Sequence, residues 1–203
     1  VGELAEMFNK ENNLGLKLHI VKMRDWTRTD WFDETGLTWA NPSPNLRSLT
    51  QATLYPGVAM VEAANVSVGR GTDTPFELLG APWINARKIA EHLNARRIQG
   101  VRFLPVDFIP KSGPFAGQVC HGVNILLLDR QALDTAELGV EILAALHQLF
   151  PREFQIDKTR SLVGARWVLE AIKSGQDPRS IARRWQEALE QFRRSRAKYL
   201  LYP

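Results

Sequence analysis

Gly122-Val123-Asn124-Ile125-Leu126-Leu127-Leu128-Asp129 is apolar except for Asn124 between its flanking glycine and aspartate, the pattern of a strand buried on both faces. The rest of the architecture is read outward from this strand. Downstream, Leu138, Ile142, Leu146 and Leu149 recur at helical spacing until Pro151, and Leu162, Ala165, Leu169 and Ile172 suggest another helix. The last helix starts at Asp177-Pro178, a cap followed by proline at the first helical position, and is expected to bury Ile181, Trp185, Leu189 and Phe192. Upstream, Val101 to Phe108 reads as an edge strand broken by Pro105. Asn85 caps a helix running to about Arg97 with Ile89 and Leu93 on its core side, and Phe76 to Trp83 is a short extended segment. Ser48 caps a helix that Pro56-Gly57 is expected to stop, leaving Val58-Ala59-Met60-Val61 as a buried strand that delivers Glu62 at its end. Near the start, residues 2 to 12 read as a helix, and Leu16, Leu18 and Ile20 alternate with Lys17 and His19 as in a half-buried strand. The expected class is α/β, of the α+β type: a mixed sheet flanked by helices, in one domain spanning residues 1–203.

The composition is that of a globular chain, 44% apolar and 24% charged over 203 residues, which makes disorder and repeat architectures unfavourable. A net charge of +4 and a pI near 9.4 raise the question of anionic partners. The arginines of the last helix are interleaved with Glu187 and Glu190, and its aromatics are expected to point inward, so a solvated face is favoured over a nucleic-acid stripe. One cysteine, Cys120, excludes an internal disulfide, and with His121 alone it cannot make a metal set. His19 reads as an outward strand residue, and His92 and His147 read as structural. No apolar run reaches the roughly 20 residues of a membrane span. The first residues, Val1 to Phe8, are acidic and amphipathic, unlike a signal segment, and begin without methionine, which suggests a piece of a longer product.

Function is most legible in Asn65-Val66-Ser67-Val68-Gly69-Arg70-Gly71-Thr72-Asp73-Thr74-Pro75. Gly69 and Gly71 let the backbone turn tightly around Arg70, or approach a ligand where a β-carbon would clash. With Glu62, Asn65, Ser67, Thr72 and Asp73 close in sequence, the segment can donate and accept hydrogen bonds as a sugar or small anion requires. The alternative is a glycine turn whose Arg70 pairs with Glu62 or Asp73 only to hold the bend. A second candidate is the aperiodic stretch from Trp26 to Asn45. Its Trp26, Trp31 and Trp39 could stack on sugar rings, or could pin a long loop to the domain. Gly69-Arg70-Gly71 leads into Thr-Asp-Thr-Pro rather than a helix, so it is not a phosphate-binding fingerprint, and no cofactor is expected.

Several motifs carry a family resemblance. They are Asn41-Pro-Ser-Pro-Asn45, Leu54-Tyr55-Pro-Gly57, the run from Glu62 to Phe76, and Gly80-Ala-Pro82-Trp83, with further similarity in Trp31 to Gly36, Gly117 to Val123 and Tyr199 to Tyr202. Together they resemble the NamZ-type exo-β-N-acetylmuramidases, which remove terminal N-acetylmuramic acid from peptidoglycan fragments. The resemblance implies a two-part protein, with a Rossmann-like amino-terminal domain and a mixed α/β carboxy-terminal domain flanking a cleft. It places residues 1–203 in the carboxy-terminal part, makes the amino-terminal domain the partner, and implies export to the cell envelope. Glycoside hydrolysis needs two carboxyl groups. Under the resemblance Glu62 is a supporting carboxylate, the catalytic acid lies in the other domain, and Arg70 meets the lactyl carboxylate of muramic acid. Asn41, Asn45, Tyr55, Asn65, Ser67, Thr72, Asp73 and Trp83 complete the expected sugar-binding set. The alternative is a muropeptide-binding module without chemistry.

Overall fold

The computed structural model describes all 203 residues, Val1–Pro203. They form two compact units, a smaller one of Val1–Thr38 with Arg184–Pro203 and a larger one of Trp39–Arg183. No helix is long and apolar enough to cross a membrane.

In the smaller unit, α1 (Gly2–Glu11) forms as its apolar spacing predicts. The strand expected over Leu16–Ile20 does not, because no other strand is there to pair with it. Instead the Asn9 side chain takes the place of one, donating to the Leu16 carbonyl at 2.8 Å and accepting from the Leu16 amide at 2.9 Å. The chain end is tied back onto α1. Glu3 accepts from Arg28 at 2.6 Å and from the Leu201 amide at 2.8 Å, while Glu11 accepts from the Tyr199 hydroxyl at 2.6 Å.

The core of the larger unit is a three-stranded sheet of β1 (Leu78–Ala81), β2 (Val101–Phe108) and β3 (Cys120–Leu127), in the order β1-β3-β2. The apolar run identified from sequence is thus the central strand. Both pairings are antiparallel, so the α/β class holds while the expected mixture with parallel strands does not. A direct hairpin joins β2 to β3, and a hairpin can only join antiparallel neighbours. β2 is an edge strand as expected, but it runs unbroken through Pro105, which an edge tolerates.

Side chains alternate across the pleat. Leu79, Val123, Ile125 and Phe103 share one face and are at most 1% exposed. α3 (Ala86–Ala95) packs on β2 and β3 and on α4 (Thr135–Leu149), burying Ile89, Leu93, Leu138, Ile142 and Leu146. Caps start these helices: Asn85 accepts from the Lys88 amide, and Asp134 from Ala136 and Glu137.

α2 (Leu49–Val58) starts at the Ser48 cap but continues through Pro56, and a 3₁₀ turn over Ala59–Val61 follows. The buried strand expected at Val58–Val61 is therefore helical. Burial was read correctly, since Val58 and Val61 are fully buried, but a short apolar run does not distinguish strand from helix. Tertiary packing decides it. Gly57 lies so close to α4 that an added β-carbon would come within 2.3 Å of the Thr135 carbonyl oxygen, and one on Gly139 within 2.8 Å of that of Gly57.

The expected helix around Leu162–Ile172 is split into α5 (Arg160–Val163) and α6 (Arg166–Lys173) at Gly164, whose φ is +70°. α7 (Pro178–Ala197) begins at the predicted cap, with Asp177 accepting from the Arg179 amide. Of its expected buried stripe only Ile181 is fully covered; Trp185 and Leu189 are half-buried and Phe192 is exposed.

Candidate functional site

The glycine loop is a built feature of the larger unit. Ser67 and Gly80 exchange backbone hydrogen bonds at 2.7 and 2.9 Å, which continues the sheet beyond β1. The chain then reverses through Gly69 and Gly71, at φ +76° and +78°. Gly71 meets the β2–β3 hairpin, where a β-carbon would stand 2.4 Å from the Ser112 amide nitrogen. The Thr72 hydroxyl donates to the Gly69 carbonyl at 2.6 Å and accepts from the Thr74 amide. The Phe76 amide closes the loop onto the Val68 carbonyl at 2.8 Å.

From this loop Arg70 reaches Glu62, which stands just after the 3₁₀ turn rather than at a strand exit. The Arg70 Nε donates to Glu62 Oε1, and the guanidinium lies over the Phe76 ring with Cζ 5.3 Å from its centroid. Tyr55 meets Phe76 edge to face, with centroids 4.8 Å apart and planes at 84°. The hydrogen bond to Glu62 holds the Arg70 pKa above its ordinary value, so the fork is permanently cationic. Of the two partners weighed for Arg70, the fold selects Glu62. Asp73 projects fully into solvent, facing Arg47 at 3.8 Å.

The other expected binding residues divide by what already engages them. Asn65 donates to the Glu153 carbonyl at 2.8 Å and accepts from the Gln155 amide at 2.9 Å, so its side chain anchors a neighbouring segment. Ser67 is 1% exposed and its hydroxyl accepts from the Gly69 amide. Trp83 is half-buried and packs edge-on to Phe150 at 5.6 Å. Asn45 is half-buried beside the Ser43–Leu46 turn, whereas Asn41 and Tyr55 are exposed. Among the tryptophans, Trp26 meets Tyr202 edge-on at 5.0 Å in the smaller unit, and Trp39 donates to the Leu46 carbonyl at 3.3 Å in the larger. Both contacts suit the pinned-loop alternative.

Three arrangements were not legible beforehand. Gln51 is buried beneath the loop, its amide donating to Glu77 Oε1 at 3.1 Å and to the Asp73 carbonyl at 3.4 Å. His121 Nδ1 lies 2.7 Å from Asp107 Oδ1 across the β2–β3 pair, which only strand register could reveal. Arg96 grips the buried Glu141 through two hydrogen bonds of 2.7 and 2.8 Å and meets Asp177 at 2.9 Å. Beside His121, Cys120 is fully buried and burial pushes its thiol up to about 11, leaving it unreactive at neutral pH.

An α/β scaffold presenting one arginine, with a carboxylate and aromatic rings around it, carries the group types that an anionic or hydroxylated ligand requires of a site. The chain belongs to the NamZ family of exo-β-N-acetylmuramidases. The family's C-terminal model matches residues 53–202 and its N-terminal model residues 1–50. A curated relative, the peptidoglycan β-N-acetylmuramidase NamZ of Bacillus subtilis (strain 168), a glycosidase, is 37% identical over the whole chain. The chain spans 50% of that relative's length. Two crystal structures of DUF1343 family proteins from Bacteroides fragilis superpose with TM-scores of 0.77 and 0.71, each at 27% identity. They cover 100% and 99% of this chain, which corresponds to 56% and 54% of theirs.

Proposed function

We propose that this chain is the substrate-shaping part of a glycoside hydrolase that releases N-acetylmuramic acid from the non-reducing ends of peptidoglycan fragments. The C-terminal family model matches it over residues 53–202 and the N-terminal one over residues 1–50, so it is not carboxy-terminal throughout. The observation that carries the reading is the state of Arg70. Glu62 takes its Nε, Phe76 covers one face, and the two terminal nitrogens make no hydrogen bond to the protein. A free pair of coplanar N–H groups suits a carboxylate, and the lactyl carboxylate is what separates muramic acid from N-acetylglucosamine. Asn41 and Tyr55, both exposed, remain available for the sugar's hydroxyl and acetamido groups. Ser67 and Thr72 brace the loop from within, and Asn65 ties its start to the Glu153 and Gln155 backbone.

Glu62 serves this arrangement by holding Arg70, and the family resemblance assigns the proton donor for the leaving oxygen to a Rossmann-like amino-terminal domain. Such a substrate is consistent with the envelope location that the family resemblance implies. The engagement of Glu62 also favours a second reading, a muropeptide-binding module without chemistry.

Mass-spectrometric detection of free N-acetylmuramic acid from the disaccharide MurNAc-GlcNAc tests both readings, using the chain alone and then joined to an amino-terminal domain. Release only in the joined form supports the proposal. Release by the chain alone would overturn the assignment of the acid to another domain, and binding without release in either form would favour the module. Arg70→Lys keeps the charge but loses the fork, and is expected to reduce preference for muramic acid over N-acetylglucosamine; an unchanged preference refutes the role of Arg70.

A further inference from the structure

Phe76 has φ +65° and is 1% exposed. The left-handed region is uncommon for any residue with a side chain and unusual for a bulky one, and glycine would occupy it without strain. Here the conformation is over-determined. The Phe76 amide is committed to the Val68 carbonyl at 2.8 Å and the Glu77 amide to that of Thr74 at 3.3 Å. From below, buried Gln51 holds both the Asp73 carbonyl and the Glu77 carboxylate. A strained backbone held this firmly, with an aromatic ring where glycine would be relaxed, indicates that the ring's position is what matters.

The ring has two neighbours of consequence. The edge-to-face contact with Tyr55, at 4.8 Å and 84°, fixes its tilt. Its face then carries the Arg70 guanidinium at 5.3 Å. An arginine side chain has several rotatable bonds and ordinarily samples many rotamers. Here Glu62 accepts from Nε alone, a single hydrogen bond about which the guanidinium plane could still turn. Contact with the ring face removes that freedom and leaves both terminal nitrogens on the open edge. We propose that Phe76, through its strained backbone, is the positioning residue that aims Arg70, and so sets selectivity for a sugar bearing a carboxylate. The choice of carboxylate rests on the function proposed above; the aiming of Arg70 does not.

The test separates these two parts. In the free protein the Arg70 Nε–H resonance, assigned by its loss in Arg70→Lys, is expected to be displaced by the Phe76 ring current and protected from exchange. Phe76→Tyr is expected to keep both signatures, and Phe76→Leu to lose them. In calorimetric titrations with N-acetylmuramic acid and N-acetylglucosamine, Phe76→Leu is expected to lose roughly tenfold of the preference for the former, the scale of a partly desolvated cation–π contact, and Phe76→Tyr to retain it. A wild-type Arg70 resonance at an unperturbed position refutes the proposal whether or not any variant folds. So does a folded Phe76→Leu protein with undiminished preference. Should the wild-type chain show the resonance signatures but no preference between the sugars, the functional reading fails while the positioning role stands.

Discussion

Replacing Arg96 with leucine removes both charged hydrogen bonds from a Glu141 carboxylate that is 1% exposed. In the native protein the two bonds, at 2.7 and 2.8 Å, form a bidentate pair, and Arg96 Nη2 is steadied by Asp177 at 2.9 Å. Once the arginine is gone, the carboxylate keeps its burial and loses its counter-charge. Breaking a buried pair from one side costs about 3–5 kcal/mol. For a chain of this size that corresponds to a fall of roughly 10 °C in Tm. Urea and thermal unfolding followed by far-UV circular dichroism would measure it. The decisive comparison is a double-mutant cycle with Glu141→Leu. Because Leu–Leu leaves no unpaired charge, the double variant is expected to be more stable than Arg96→Leu alone. A single variant within about 1 kcal/mol of wild type, or a double variant no better than the single, would show that the pair does not carry its burial cost as argued here.

A β-carbon on Gly122 would stand 1.9 Å from the Leu79 carbonyl oxygen, so Gly122→Ala is expected to break the β1–β3 pairing and lower soluble yield, and wild-type Tm would refute that. Gly71→Ala combines an unfavourable φ with a clash against the Ser112 backbone; a loss of about 1–3 kcal/mol is expected in urea unfolding, and none would mean the hairpin moves aside freely. Burial, reinforced by the Arg96 charge, depresses the His92 pKa below its usual 6.5. As pH falls through about 6.5 the unfolded chain gains a proton that the folded chain resists, so stability declines until the folded imidazole protonates in turn. His92→Gln is expected to flatten that part of the stability–pH profile, and an unaltered slope would assign it to other groups. Glu3 is held below the usual carboxylate range by the Leu201 amide and Arg28. Its contribution is full above about pH 4.5 and is lost as pH falls through the folded value, so Glu3→Gln is expected to show less acid sensitivity than wild type.

Where a signal is local, the sequence and the structure agree. The central strand needed only its own apolar run. The caps Ser48, Asn85 and Asp177 could be read because a cap acts on amides within three residues of itself. The tight turns at Gly69 and Gly71 were legible for the same reason. Val58–Val61 marks the boundary of that approach: its burial was visible, but its helical form depends on the Gly57–Gly139 approach to α4, which lies far along the chain. Leu16–Ile20 is the converse case, an alternating pattern left without a pairing partner.

The candidate site follows the same division. Sequence showed that a glycine loop would carry one arginine among hydroxyls, amides and carboxylates, and its motifs pointed to the family. It could not choose between Glu62 and Asp73, because one lies eight residues from Arg70 and the other three, and only the turn decides which carboxylate faces the guanidinium. Nor could it show that Asn65 would be taken by Glu153 and Gln155, that Phe76 would lie under Arg70, or that Arg96 would find Glu141 across 45 residues. Propensity, periodicity and capping act within one or two turns of chain, so they are written in the order of the residues. Ion pairs, ring contacts and amide anchors form between whatever the packed elements bring together, and that is fixed only when the whole core closes.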